Sequence, residues 1–167
     1  MPKLDDFFET HAATLPESVR QAVMNASIPG LIDEPRVPEL AAALTEPGLD
    51  LPELAISGLW LLAGDLDRSH SISQNDSSAE GSFWHGIMHR RESDYSNAKY
   101  WFRRVGSHPV LIRVKQLHES VYSDPYDFID QVEKACLGRT HDPAVTQWLL
   151  KAQWTEWQLL MIECLAK

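Results

Sequence analysis

The residues best suited to chemistry lie close together, between positions 81 and 110 of this 167-residue chain. His85 and His89 are four residues apart, so on a helix their imidazoles lie on one side, one turn apart. Two imidazoles at this spacing can bind one divalent ion, and Glu92 or His70 could supply a third ligand. The pair lacks the internal glutamate of the zinc-protease motif, which would activate a metal-bound water.

The two histidines also have a plainer explanation. Both could pack against the next helix and donate hydrogen bonds to carbonyls, to Tyr95 or to Asn97, as most buried polar groups do. A third alternative is direct contact with a ligand that is not a metal. The sequence leaves these three alternatives open.

Arg91 raises a similar question, because a helical wheel places it on the apolar face between Trp84 and Ile87. An unpaired guanidinium would be costly there. We therefore expect Arg91 to meet either a carboxylate or a ligand. The candidate carboxylates are Asp65, Asp67 and Asp94.

If a ligand is the partner, the central stretch forms a pocket for an anionic small molecule or an acidic peptide. The predicted lining is His85, His89, Arg90, Arg91, Tyr95, Asn97, Lys99 and Arg104. The predicted metal ligands, for the alternative case, are His70, His85 and His89. Catalytic residues stay unassigned, because no nucleophile motif and no phosphate-binding glycine loop is present.

The charge distribution supports an anionic ligand at this place. The whole chain carries a formal charge of -9, which argues against nucleic acid and anionic membranes as partners. Residues 90–115 contain seven Lys and Arg against two acids, a local +5 that leaves -14 for the rest. The basic segment is therefore local, and it coincides with the candidate site.

The elements that must position these residues read as helices throughout. Asp-Pro pairs at 124–125 and 142–143 are typical helix starts, and Gly138 is a typical helix end. Residues 52–63 are too long an apolar run for a typical strand, and residues 111–123 are ambiguous with helix favoured. We expect one all-α domain over residues 1–167, of about eight helices, with a first helix at 4–13 and a mostly buried helix at the C-terminus.

An internal similarity at an offset of 29 residues relates GDLDRSHSIS at Gly64 to SDYSNAKYWF at Ser93. The second copy resembles a tetratricopeptide repeat, with Gly86, Tyr95, Ala98 and Phe102 at that repeat's small and aromatic positions. The small residues let two antiparallel helices approach closely, and the aromatics fill the adjacent groove. This resemblance implies stacked helical hairpins over about residues 51–106, an α-solenoid-like core with flanking helices.

Residues 55–110 also resemble, as a whole, a family of uncharacterised all-helical proteins. The resemblance is carried by HGIMHRRESDYSNAKYWFRRVGSHPV and the preceding GLWLLAGDLDRSHSISQ. It implies a shared helical fold and a shared site, to which it adds His70 and Gln74. The resemblance implies no particular reaction.

The sequence favours a non-enzymatic binding module for a small anion or acidic peptide over its alternative, a metal-dependent hydrolase-like enzyme using His70, His85 and His89. No cofactor is predicted beyond the divalent metal of the alternative, and a homo-oligomer is left open. The absence of a long apolar run and of a secretory leader pattern predicts a cytoplasmic protein. Two cysteines outside any metal-binding spacing are expected to be reduced.

Overall fold

The computed structural model describes residues 10–32, 36–140 and 142–167, and within these ranges the chain forms helices and no strand. Nine helices are fully contained in them, one more than expected, and residues 10–12 are also helical. They are α1 (Glu17–Asn25), α2 (Pro38–Leu44), α3 (Glu53–Ala63), α4 (Leu66–Ser73), α5 (Ala79–Arg91), α6 (Tyr95–Val105), α7 (Pro109–Leu117), α8 (Pro125–Cys136) and α9 (Pro143–Leu165). The all-α class is confirmed. Most of the helix predicted at 4–13 lies outside the described residues.

The helices begin where the sequence supplies capping side chains. Asp124 accepts hydrogen bonds from two backbone amides of the first turn of α8, both at 2.8 Å, and Asp142 caps α9 at 2.8 Å. Ser78 and Asp94 do the same for α5 and α6. Gly64 ends α3 in the left-handed region at φ 80°, which a glycine adopts without steric cost. These caps fix the turns between the helices that carry the candidate site.

Helix α5 lies at the centre of the domain. Every residue from Gly81 to Arg91 is buried, the polar ones included. Helices α3, α4 and α6 pack against it, and α9 reaches it through a hydrogen bond from Trp84 to Cys164 at 3.3 Å. Burial raises the pKa of the Cys164 thiol to about 12, so it is a neutral packing group. The part of α5 from Gly81 to Arg91 therefore lies in the interior, and its polar side chains must find partners inside the fold.

Gly86 sets the close approach of α5 to α6. A Cβ added at Gly86 would stand 2.8 Å from Cδ2 of Phe102, which is closer than real Cβ atoms come to a neighbour. The Phe102 ring fills that space and meets Phe83 edge to face, with 5.2 Å between the ring centroids. The close contact of α5 with α6 therefore requires the glycine that the sequence places at position 86.

The remaining helices close the domain around this centre. Helix α9 contacts α3, α7 and α8, and α8 also packs on α6. Of residues 111–123, ambiguous from the sequence, 111–117 belong to α7, because Val110 and Val114, one turn apart, both enter the core. Residues 118–123 lie beyond the end of that helix. Among the residues that the structure describes, no helix has both the length and the hydropathy of a membrane span.

Candidate functional site

Three histidines from two helices meet beside the α5–α6 hairpin. His70 comes from the last turn of α4, and His85 and His89 come from successive turns of α5. One nitrogen from each ring lies within 4.8 Å of the others. The structure therefore brings together the three residues predicted as metal ligands.

The rings are arranged as a stack with one ring at its edge. His85 lies flat on Trp101 of α6, with 3.7 Å between centroids and 14° between planes. His89 stacks over His85 at 4.8 Å, and His70 meets both imidazoles edge-on at 4.6 and 5.6 Å. Trp101 is only half-buried, and its ring supports this stack.

His85 is the most enclosed member of the cluster, with 2% of its surface exposed. Its Nδ1 atom is buried and makes no hydrogen bond. Burial lowers its pKa to about 3, helped by the nearby rings of His89 and His70 and by the charge of Arg104. His85 is therefore neutral at physiological pH and keeps a lone pair, the state in which histidine binds metals.

His89 is held in one orientation by the turn that follows it. Its Nδ1 donates to Oε1 of Glu92 at 2.6 Å, and its Nε2 accepts a hydrogen bond from the side-chain amide of Asn97 at 3.1 Å. A carboxylate of Asp94 lies 3.9 Å from the same Nδ1. Ser93 closes the turn in the left-handed region at φ 66°, which is uncommon for a residue other than glycine. Because Nδ1 carries the proton, the lone pair of His89 lies on Nε2.

Arg90 belongs to a different environment, on the side of α5 that faces α8 and α9. It pairs with Glu156 of α9 at 2.5 Å, and neither side chain has any exposed surface. The Tyr122 hydroxyl donates to the same carboxylate at 3.0 Å, and burial followed by the Glu156 charge raises the pKa of Tyr122 well above its usual range. The Arg90 guanidinium lies 4.8 Å from the Phe128 ring centroid. A ligand at Arg90 would have to displace Glu156.

Arg91 donates to the backbone carbonyl of Leu61 in α3. The carboxylate of Asp65, one of its predicted partners, lies instead 3.6 Å from both Arg36 and Arg68. Asp94, a second predicted partner, caps α6. Arg91 is 3% exposed and so faces the interior between α3 and α5.

The other predicted lining residues divide between the cluster and the surface. Arg104 is exposed and stands 5.2 Å from the ring centroid of Trp101. Lys99 pairs with Asp130 at 2.5 Å, and Tyr95 lies near Cys136, where burial raises the tyrosine pKa. The histidine cluster thus gathers His70, His85, His89, Asn97 and Arg104 of the predicted residues. The residues Arg90, Arg91, Tyr95 and Lys99 have other neighbours, and Gln74 is an exposed C-cap of α4.

Glu156, which pairs with Arg90, and Tyr122, which donates to Glu156, are two buried neighbours of Arg90 that the sequence did not identify. Both lie far along the chain from Arg90, at separations of 66 residues for Glu156 and 32 for Tyr122. The available signal for Glu156 was its position as an acid in an otherwise apolar stretch of α9, because a buried acid requires a buried cation just as Arg90 requires an acid.

Comparison of the chain with protein-family models, with curated proteins and with solved structures finds no match.

Proposed function

We propose that this protein binds a divalent transition-metal ion, best matched by zinc, at His70, His85 and His89, and that the bound metal supports hydrolase-like chemistry. The observation that carries the proposal is the convergence of one nitrogen from each of three imidazoles, one of which, His85, also has a buried Nδ1 with no hydrogen-bond partner. A buried polar atom left unsatisfied costs about 1–3 kcal/mol, and a bound ion would remove that cost. Three imidazoles suit zinc, copper, nickel and iron.

The three nitrogens of the cluster are somewhat further apart than the ligands of a zinc ion. Tetrahedral ligation with bonds of about 2.0–2.1 Å separates the nitrogens by roughly 3.3 Å. The nitrogens here lie within 4.8 Å of one another, so binding would draw the rings together by up to about 1.5 Å. His70, half-buried at the end of a short helix, is the ring with most room to move. Asn97 must release Nε2 of His89.

Glu92 gives His89 the support typical of a metal ligand. Metal-bound histidines commonly donate their second ring N–H to a carboxylate, which fixes the tautomer and makes the other nitrogen a better ligand. The hydrogen bond from Nδ1 of His89 to Glu92 has this form. It supports metal binding through Nε2.

Three protein ligands leave a fourth position for water or a substrate. Zinc with three nitrogen ligands lowers the pKa of its bound water to about 7, which provides hydroxide at neutral pH. A zinc ion held by His70, His85 and His89 would supply the nucleophile that residues 81–110 otherwise lack. The site therefore supports hydrolysis more directly than any chemistry of the side chains alone.

Zinc titration of the metal-free protein by isothermal calorimetry tests the proposal. We expect one ion per chain, and His85→Ala should abolish binding because it removes the central ligand. His118→Gln is the matched control, because His118 lies away from the cluster and bonds to Thr155. Zinc at a hundredfold excess over its dissociation constant should stabilise the wild type by about 2.7 kcal/mol. Zinc binding that survives in His85→Ala would refute the proposal.

A binding module for a small anion or an acidic peptide is the second candidate. The observation in its favour is the pair Arg103 and Arg104, both exposed at the end of α6 beside the half-buried Trp101. Among the described residues neither guanidinium has a carboxylate within ion-pair distance. Calorimetry with acidic peptides in the presence of a chelator tests it, because this candidate requires binding without metal.

We further propose that the hairpins α3–α4 and α5–α6 stack in the manner of tetratricopeptide repeats. The successive packing of α3 on α4, α4 on α5 and α5 on α6 supports this arrangement, as does the contact of Gly86 with Phe102. We also propose that the protein is cytoplasmic. The free thiols of Cys136 and Cys164 support a reducing compartment.

A further inference from the structure

The indole ring of Trp101 lies flat against His85, the most enclosed imidazole of the histidine cluster. The two ring centroids are 3.7 Å apart, and the ring planes differ by 14°. The His89 ring also stacks on His85, at 4.8 Å, and the His70 ring meets it edge-on at 4.6 Å. Three rings therefore fix the plane of His85, and Trp101 is the one among them that offers no ligand atom to a metal.

His85 differs from His89 in how its ring is oriented. Metal-bound histidines are commonly held by a hydrogen bond from their second ring nitrogen, and His89 makes such a bond to Glu92. The Nδ1 atom of His85 is buried and has no hydrogen-bond partner. A ligand ring must nevertheless be held to within about 0.5 Å of the geometry that binds the ion. For His85, ring stacking takes the place of the orienting hydrogen bond at Nδ1.

We propose that Trp101 is a positioning residue of the metal site, which fixes the plane of His85 and stabilises the positive charge that a bound ion places on that ring. The inference rests on the proposed metal site. Coordination draws electron density from an imidazole towards the ion, and an indole attracts a cation over its face more strongly than any other side-chain ring does. The stacking contact is therefore stronger with the ion bound than without it. The indole ring thus raises the affinity of the site for metal.

The same indole already holds one cation. The guanidinium carbon of Arg104 lies 5.2 Å from the Trp101 ring centroid. Trp101 is only half-buried, and the close contact of α5 with α6 at Gly86 is made by Phe102 instead. Replacing Trp101 therefore leaves that helix contact in place, so its effect on metal binding can be measured separately from folding.

The test measures zinc affinity by isothermal calorimetry in the wild type, Trp101→Leu and Trp101→Phe. Leucine removes the aromatic face, whereas phenylalanine keeps a flat ring that still attracts a cation. Trp148→Leu is the matched control, because Trp148 is an exposed tryptophan on α9. Arg104→Gln is a second control that removes the nearby cation and keeps the indole. Urea unfolding of each metal-free protein gives the cost of each substitution to the fold.

We expect Trp101→Leu to weaken zinc binding about tenfold, the size of a desolvated cation–π contact, and Trp101→Phe to recover most of that loss. Trp148→Leu should bind zinc as the wild type does, and Arg104→Gln at least as tightly. Unchanged zinc affinity in Trp101→Leu overturns the inference and leaves the metal site standing. Equal losses in Trp101→Leu and Trp101→Phe overturn it as well, because bulk rather than the ring face would then matter. A wild type that binds no zinc overturns the metal site and this inference together.

A fluorescence measurement keeps the inference falsifiable if Trp101→Leu does not fold. A bound Cu²⁺ ion quenches the emission of an indole beside it. We expect Cu²⁺ to quench the wild type and Trp148→Phe alike, and Trp101→Phe to lose most of that quenching. Equal quenching in Trp101→Phe and Trp148→Phe would show that the ion does not bind beside Trp101, and would overturn the inference.

Discussion

The buried imidazole of His85 makes the stability of the metal-free protein depend on pH. The pKa of His85 is lowered from 6.5 to about 3, first by burial and then by the neighbouring rings and Arg104. As the pH falls through about 6.5, His85 gains a proton in the unfolded chain but not in the folded one. The stabilisation from keeping His85 neutral is thus complete above 6.5 and is lost progressively between pH 6.5 and about 3.

The size of this loss follows from the two pKa values. Each pH unit between them costs about 1.4 kcal/mol, so the protein loses about 1.4 kcal/mol by pH 5.5 and about 2.7 kcal/mol by pH 4.5. Carboxylates begin to contribute their own losses at the lower pH. The change in unfolding free energy between pH 7.5 and 5.5 therefore reports on His85 with the least contribution from carboxylates.

The assay is urea unfolding of the metal-free protein at pH 7.5 and at pH 5.5, for the wild type and for His85→Phe. Phenylalanine keeps a flat ring to stack on Trp101 but cannot take a proton. We expect the free energy of unfolding of the wild type to fall by about 1.4 kcal/mol more than that of the variant over this interval. The comparison uses only the change with pH, so any constant effect of the substitution cancels.

The same loss in both proteins would refute the reasoning, because it would mean that His85 titrates alike in the folded and unfolded states. A smaller loss in the wild type than in His85→Phe would refute it more strongly, since that sign requires a raised pKa in the folded state.

Three further predictions concern the buried ion pair of Arg90, the close contact of α5 with α6, and the hydrogen bond from His89 to Glu92. Glu156→Gln should lower the free energy of unfolding by about 3–5 kcal/mol in urea, because it leaves Arg90 buried without a counter-charge, whereas the exposed Glu163→Gln should change it little. Equal effects of the two would contradict the buried pair. Gly86→Ala should lower the melting temperature through a cost of about 1–3 kcal/mol, because the added methyl meets the Phe102 ring, and an unchanged melting temperature would show that the helices have room to separate. Glu92→Gln should weaken zinc binding about 10–100-fold by calorimetry with no comparable loss of metal-free stability, and an unchanged zinc affinity would remove Glu92 from the support of the site.

The helices were largely predictable from local sequence, because their ends are set by side chains close in the chain. The Asp-Pro starts of α8 and α9 and the glycine after α8 act on their own neighbours, and the structure uses them as expected. The central position of α5 was not predictable in the same way. Periodicity identifies an apolar face, but burial of Arg90 depends on α9, which begins more than fifty residues later.

In the candidate site, too, contacts between residues close in the chain were predictable and contacts between distant residues were not. The spacing of His85 and His89 placed both rings together, and the resemblance added His70, so the cluster could be anticipated from short-range patterns. The sequence placed Arg90 in the lining of a ligand pocket and did not predict its buried partner Glu156, which lies 66 positions further along the chain. The sequence places Trp101 in α6 but does not show which residue its ring contacts. Only the orientation of the indole reveals that it supports His85.

The most direct measurement of the metal site is a crystal structure of the zinc-soaked protein with anomalous data collected at the zinc absorption edge. We predict one anomalous peak per chain, about 2.0–2.1 Å from one nitrogen of each of His70, His85 and His89, with Glu92 still bonded to His89. A zinc ion bound elsewhere, or no peak at the cluster under conditions where zinc is in excess, would contradict the account.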